Sequence, residues 1–372
     1  MKRLFMAVAA LMATLMAVMA QDSVPAFINL KANRIEMNGA DWSALRNKLQ
    51  ARLNPGDTSV VRVLHIGDSH IQAEMVTCEL RRLLQERYGN AGRGLLMPLR
   101  LAGTNQSHDF AVTSPSKDFR QTRLLKLPWP VRPGLTGIAA TPNNATTVTW
   151  KPLRPGHTIA HATLLTSAGV RDVSPAAPAD SLVTPVAADE AVYGLITDNG
   201  QPGLLYSAIG NNGACFNDYL LIPRFAQQTA VFRPDLIVLS MGTNEAFSMM
   251  TDDDIRTSID NLVRLLHHYN PDAAMLILTP MECQKNRNHG HKPLSPYYDI
   301  NPAVKHVTAL IRERAAALSV PVWDFYTVAG GDGASDRWID ANLFSRDRIH
   351  LINPGYTLQA RLLFDALTPA VE

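Results

Sequence analysis

The stretch Val61-Arg-Val-Leu-His-Ile-Gly-Asp-Ser-His70 decides the fold. Val61, Val63, Leu64 and Ile66 form an apolar run of strand length, and Gly67-Asp68 turns the chain. From near Ile71 onward, Val76, Leu80, Leu83 and Leu84 recur at helical spacing. A strand leading into a helix in this way is the start of an open α/β unit. Ser69 then leaves the strand at its carboxyl end, where such sheets bind ligands. The helix directs its positive N-terminal end at any oxyanion formed on that serine. Taken alone, Gly-Asp-Ser reads as readily as a turn with an N-cap worth about 1 kcal/mol.

Three further segments favour a nucleophile. Asp347-Arg-Ile-His350 precedes Leu351-Ile-Asn-Pro-Gly-Tyr356 and an amphipathic helix through Leu363 and Ala366. An aspartate three residues before a histidine can hold the imidazole in one tautomer, leaving the other nitrogen free to take a serine proton. Pro234-Asp-Leu-Ile-Val-Leu-Ser-Met-Gly-Thr-Asn244 is a second buried strand, and its exit places the Asn244 amide at the same sheet edge. Ser207-Ala-Ile-Gly-Asn-Asn-Gly213 is a third strand exit, where Gly213 can bring a backbone N–H close to a substrate. As isolated residues, Gly213 and Asn244 are ordinary turn formers and His350 a solvated loop histidine. In the order Ser, Gly, Asn, Asp-x-x-His they make a nucleophile, an oxyanion hole and a base.

Gly67-Asp68-Ser69, Gly213, Gly242-Thr243-Asn244 and Asp347-x-x-His350 resemble the four sequence blocks of the SGNH (GDSL-type) hydrolases. The resemblance spans nearly the whole chain beyond its first residues. It implies that Ser69 is the nucleophile, with Asp347 and His350 completing the triad. The Ser69 and Gly213 amides and the Asn244 side chain are the implied oxyanion donors. Glu245 departs from the pattern, which most often has aspartate after the block asparagine. His70 and the segment Tyr88-Gly-Asn-Ala-Gly-Arg-Gly-Leu-Leu-Met-Pro98 are similar to the bacterial peptidoglycan O-acetylesterases, whose SGNH domain carries an inserted carbohydrate-binding-like β-domain. His70 is then either an extra active-site group or a residue that caps or packs the start of the helix.

The rest of the chain divides accordingly. Residues 1–20 read as an export signal: Lys2-Arg3, an apolar run from Leu4 to Val18, and the cleavage site Val18-Met-Ala20. The run falls short of the roughly 20 residues that a membrane span needs, so the expected mature chain starts at Gln21 and is periplasmic or secreted. Without Lys2 and Arg3, 33 basic residues balance 33 acidic ones, so no field of one sign invites nucleic acid or an anionic membrane. Residues 21–104 and 205–372 read as two parts of a hydrolase domain. Residues 105–204 have almost no helical periodicity but short alternating runs such as Thr146-Thr-Val-Thr-Trp150, and read as an inserted β-sandwich.

Expected strands near 59–66, 205–209, 235–241, 274–280 and 320–324 alternate with helices near 71–88, 215–226, 252–269, 301–318 and 353–369, after an N-terminal helix at 42–53. This is an α/β, flavodoxin-like three-layer sandwich with a five-stranded parallel sheet, as the resemblance also implies. Cys78, Cys215 and Cys283 allow at most one disulfide, and a buried thiol suits Cys78 best. In the loop Met281–Asn301, Cys283, His289 and His291 have a metal-like spacing, but Lys285, Arg287 and Lys292 oppose a cation.

The expected function is serine ester hydrolysis through an acyl-enzyme, with no metal or organic cofactor. The expected substrate is an acetylated polysaccharide, peptidoglycan first. Another polymer such as xylan, a general lipase or acylhydrolase activity, acetyl transfer, and a carbohydrate-binding protein with an inert hydrolase domain are the alternatives. Trp129 and Trp150 are candidate sugar-stacking residues, with core packing as the competing role.

Overall fold

The computed structural model describes residues 24–286 and 298–372. The expected export signal, with Gln21, and Arg287, His289, His291 and Lys292 lie outside the described residues. Five strands form one parallel sheet: β1 (Val60–Gly67), β2 (Gly203–Gly210), β3 (Leu236–Ser240), β4 (Ala274–Leu278) and β5 (Val322–Trp323). Their spatial order is β2-β1-β3-β4-β5, the flavodoxin-like order expected of this fold. The strands read as continuous apolar runs because helices cover both faces. Helices α1 (Ser43–Ala51), α3 (Met75–Tyr88) and α6 (Asn353–Val371) pack together, and α4 (Asp252–Tyr269) packs with α5 (Pro302–Ala317). Among the described residues, no helix is long and apolar enough to cross a membrane.

The helix expected from Ile71 is broken in two. A single turn, α2 (Ser69–Gln72), precedes α3, and Glu74 between them adopts a left-handed backbone at φ 56°. The break turns the Glu74 carboxylate inward onto Arg81 and Arg93, where it is buried. The helix expected at 215–226 is also replaced by short turns, a 3-10 turn at Asp218–Leu221 and one α turn at Phe225–Gln228. Two local features stop a longer helix: the Asp218 carboxylate accepts the Cys215 amide at 2.7 Å, and Pro223 precedes Arg224 at φ 58°.

Between α3 and β2 the chain builds two antiparallel sheets. Phe110–Thr113, Thr146–Pro152 and Leu182–Val186 form one, and Phe119–Arg123, Ile138–Pro142, His161–Thr166, Gly169–Asp172 and Val192–Asp198 form the other. Gly94–Leu96, ahead of the expected boundary at 105, also pairs with Val192–Asp198. Trp150 is fully buried in this region and donates its indole N–H to Thr184 Oγ1 at 2.9 Å. Trp129 is only partly buried and donates to the Leu124 carbonyl at 2.9 Å. Core packing is therefore the role of Trp150, whereas Trp129 keeps an accessible face. Trp150→Ala should lower stability by about 3–5 kcal/mol, in line with other buried tryptophans. Thermal unfolding checks this, and the loss of activity should be parallel on small and polymeric esters.

Candidate active site

Ser69 opens α2, which is capped by Asp68: the carboxylate accepts the His70 amide at 2.9 Å. This turn sits directly on the end of β2. A Cβ on Gly210 would stand 2.1 Å from the Gln72 amide nitrogen, so a larger residue there would displace the serine. Ser69 Oγ lies 2.7 Å from His350 Nε2, and His350 Nδ1 lies 2.7 Å from Asp347 Oδ2. The other Asp347 oxygen accepts the Ile349 and His350 amides, each at 3.0 Å.

These contacts set the charge states. Burial alone would raise the Asp347 carboxyl, but its hydrogen bonds from His350 and the two amides prevail and hold it down to about 2. The hydrogen bond to Asp347 lifts the His350 imidazole above its ordinary value, against the opposing effect of burial. An ionised Asp347 accepts from Nδ1–H and leaves Nε2 as the acceptor facing the serine hydroxyl.

The loop carrying this pair is braced by two short antiparallel strands, Gln284–Asn286 and Tyr298–Ile300, in a segment whose sequence reads as loop. Arg348 sits at φ 58°, a conformation that costs free energy for a non-glycine residue. Its carbonyl accepts the Gln284 amide at 2.9 Å, and its guanidinium donates to Gln284 Oε1 at 2.8 Å. The guanidinium also lies 4.6 Å from the centre of the Tyr298 ring.

Gly213 and Asn244 arrive from the neighbouring strand ends. Gly213 has φ +83°, which favours glycine, and its amide is taken by no backbone acceptor among the described residues. The preceding Asn212 amide donates to Gln72 Oε1 at 2.9 Å, tying this loop to α2. Asn244 Nδ2 donates to the Ala214 carbonyl at 3.1 Å and to Asp68 Oδ2 at 3.3 Å, so one side chain links the Gly213 loop and the serine turn. Burial pushes the Asp68 carboxyl up to about 7. Ser69, Gly213, Asn244 and His350 line one cleft of about 500 Å³, together with Asn105 and Phe247.

Glu245 is buried, and its Oε1 accepts the Phe216 amide at 2.8 Å. The longer side chain thus braces the Gly213 loop from below, and burial pushes its carboxyl up to about 7. Gln72 and Arg348 have no signal in the sequence, because their roles depend on contacts between distant segments. Cys78, Cys215 and Cys283 are buried free thiols. Glu74, Cys78 and Asp109 are close enough to hold a cation, but Arg81 and Arg93 already bind both carboxylates.

The GDSL-like lipase/acylhydrolase family profile matches residues 168–358, just over half of the chain. The chain belongs to this family. The matched span takes in Gly213, Asn244, Asp347 and His350, and begins after Ser69. Among solved structures, a peptidoglycan O-acetylesterase superposes with a TM-score of 0.72 at 22% identity, covering 91% of this chain and 99% of that one. A lipase/acylhydrolase from Enterococcus faecalis has a TM-score of 0.34 at 19% identity, covering 45% of this chain and 77% of its own. An acetyl xylan esterase has a TM-score of 0.35 at 18% identity, covering 44% and 81%. No curated protein matches the sequence. The protein is a carboxylic ester hydrolase with the SGNH fold, as the four sequence blocks implied.

A pH profile follows from the charge states. With an aryl acetate, kcat/KM should rise with pH through the ionisation of His350, because only the neutral imidazole can accept a serine proton. Asp347→Asn removes the contact that raises this pKa, so the acid limb should move to lower pH while the plateau falls. A limb that stays in place would assign that ionisation to another group.

Proposed function

We propose that this esterase removes O-acetyl groups from peptidoglycan after export, by way of an acetyl-enzyme. The observation that carries the chemistry is the continuous hydrogen-bonded chain from Ser69 Oγ through His350 to Asp347. Ser69 Oγ attacks the acetyl carbonyl as its proton passes to His350 Nε2, and Asp347 stabilises the imidazolium. The oxyanion is held by the Ser69 and Gly213 amides and by the Asn244 amide, which turns a donor from its resting partners. His350 then returns the proton to the departing sugar oxygen. Water, deprotonated by the same imidazole, attacks the acetyl-enzyme and releases acetate.

The substrate reading is supported by the match to a peptidoglycan O-acetylesterase, which runs through the antiparallel sheets as well as the α/β core. Loops beside those sheets reach the cleft. Asn105 lines it, and Leu125 stands against Gly213, 3.1 Å from where a Cβ would be. A polymer bound in the cleft therefore meets groups of the inserted region beside the reacting ester.

Ser69→Ala should abolish aryl acetate hydrolysis and leave the fold intact. Asn244→Ala should slow kcat by roughly 10²–10³, the cost of losing one oxyanion donor. A change confined to KM would instead make Asn244 a binding residue. For the substrate, acetate release from O-acetylated peptidoglycan should exceed that from acetylated xylan at equal acetyl content. The reverse preference, measured with the same enzyme, rejects peptidoglycan as the substrate while leaving the esterase chemistry standing.

A further inference from the structure

We infer that His70 and Tyr356 form a positioning pair that sets the base loop against the nucleophile turn. This rests on the Ser69–His350 reading above and adds two residues that the four sequence blocks do not contain. His70 directly follows Ser69, and Leu351 directly follows His350. The Tyr356 phenolic oxygen ties the two segments: it stands on the residue five past Leu351 and lies 3.0 Å from His70 Nδ1.

The ring of His70 also forms one wall for the base. Its centroid is 4.9 Å from that of His350 with 38° between the planes, and it meets the Tyr356 ring edge-on at 5.9 Å. His350 is therefore held at Nδ1 by Asp347 and on one face by His70. Tyr356 stands in the first turn of α6, a helix packed on α1 and α3, so the pair refers the loop at 347–351 to the rigid core. The titratable groups around His70 are His350, Asp347, Tyr356 and Asp68. Burial and the neighbouring His350 push the His70 imidazole down to about 3, so it stays neutral when His350 takes up the serine proton. Both Tyr356 and His70 act through His350, and no bond to either is made or broken in the reaction.

The test uses the full chain and p-nitrophenyl acetate, with His70→Phe, Tyr356→Phe, their double variant and His70→Ala. Thermal unfolding confirms the fold, and the two phenylalanine variants keep a ring in each place. Each single phenylalanine variant should lower kcat by roughly tenfold to a hundredfold with KM little changed, as expected for a misplaced base. The double variant should lose no more than the worse single one, because both changes break one contact. In His70→Ala, water reaches the exposed face of His350, so the acid limb of kcat/KM should move to higher pH. Losses within about twofold of wild type, additive losses, or an unmoved limb would each overturn the pairing. Ser69→Ala is the control: retained activity in that variant would reject the triad reading itself, which is a separate failure.

Discussion

The register of the parallel sheet is the constraint on which the site depends. Gly67 at the end of β1 pairs with Gly210 of β2 on one side and with Ser240 of β3 on the other. Three strand ends therefore stop at one level, and Ser69, Gly213 and Asn244 follow them within a few residues. A slip of one residue between β1 and β2 would shift the loops by about 3.3 Å and reverse which side chains face the core. That exceeds the whole 2.7 Å separation of Ser69 Oγ and His350 Nε2. The base comes from outside this ladder, on a loop near the end of the chain, and so it needs ties of its own. The strand pair around Gln284, with Arg348 in its left-handed conformation, supplies one set.

How much of this is legible in the sequence follows from the range of the interactions. Strands β1, β3 and β4 announce themselves as apolar runs with glycine or proline exits, and α4 begins with the capping box Thr251/Asp254. Ser69, Gly213 and Asn244 are legible for a similar reason, each lying one short loop beyond a strand of the parallel sheet, whereas Asp347 and His350 are legible from their own spacing. The break at Glu74 is not, because Ile71 on one side and Met75, Val76, Leu80 and Leu84 on the other keep a helical apolar period across it. What breaks the helix is a carboxylate drawn to Arg93 and shared with Arg81, and no local pattern encodes that pairing. The strand pair at Gln284–Asn286 and Tyr298–Ile300 is hidden likewise, since both strands are short and polar and one of their partners is the Arg348 carbonyl.

The group at Glu74 is a closed set of buried charges. Arg81 lies 3.1 Å from Glu74 and 2.6 Å from Asp109, and Arg93 contacts both carboxylates, that of Asp109 at 3.1 Å. Two cations and two anions leave this cluster without net charge, and Ser107 Oγ donates to Asp109 at 2.7 Å. Removing one member would leave an uncompensated buried charge, which typically costs about 3–5 kcal/mol. The set joins the start of α3 to the antiparallel sheets, since Asp109 directly precedes Phe110–Thr113. The inserted region is thereby bonded to the helix that follows the serine turn.

The placement of the insertion also answers a problem posed by the sheet itself. In the order β2-β1-β3-β4-β5, β2 is an edge strand, yet all eight of its residues are buried. An edge strand leaves backbone groups that must be paired or shielded. Here α3 and the chain leaving it do this without adding a sixth parallel strand. Gln85 Nε2 donates to the Leu204 carbonyl at 3.0 Å, Arg81 Nε donates to the Tyr206 carbonyl at 3.2 Å, and the Leu95 amide donates to Ser207 Oγ at 3.2 Å. The Leu204 amide in turn donates to the Gly89 carbonyl at 2.8 Å. The chain enters this cover beside the amino end of β2 and returns into it at Gly203, whereas Asn105 and Leu125 stand at the carboxyl end. The inserted region thus runs the length of the exposed edge, and covering that edge brings its loops to the catalytic cleft.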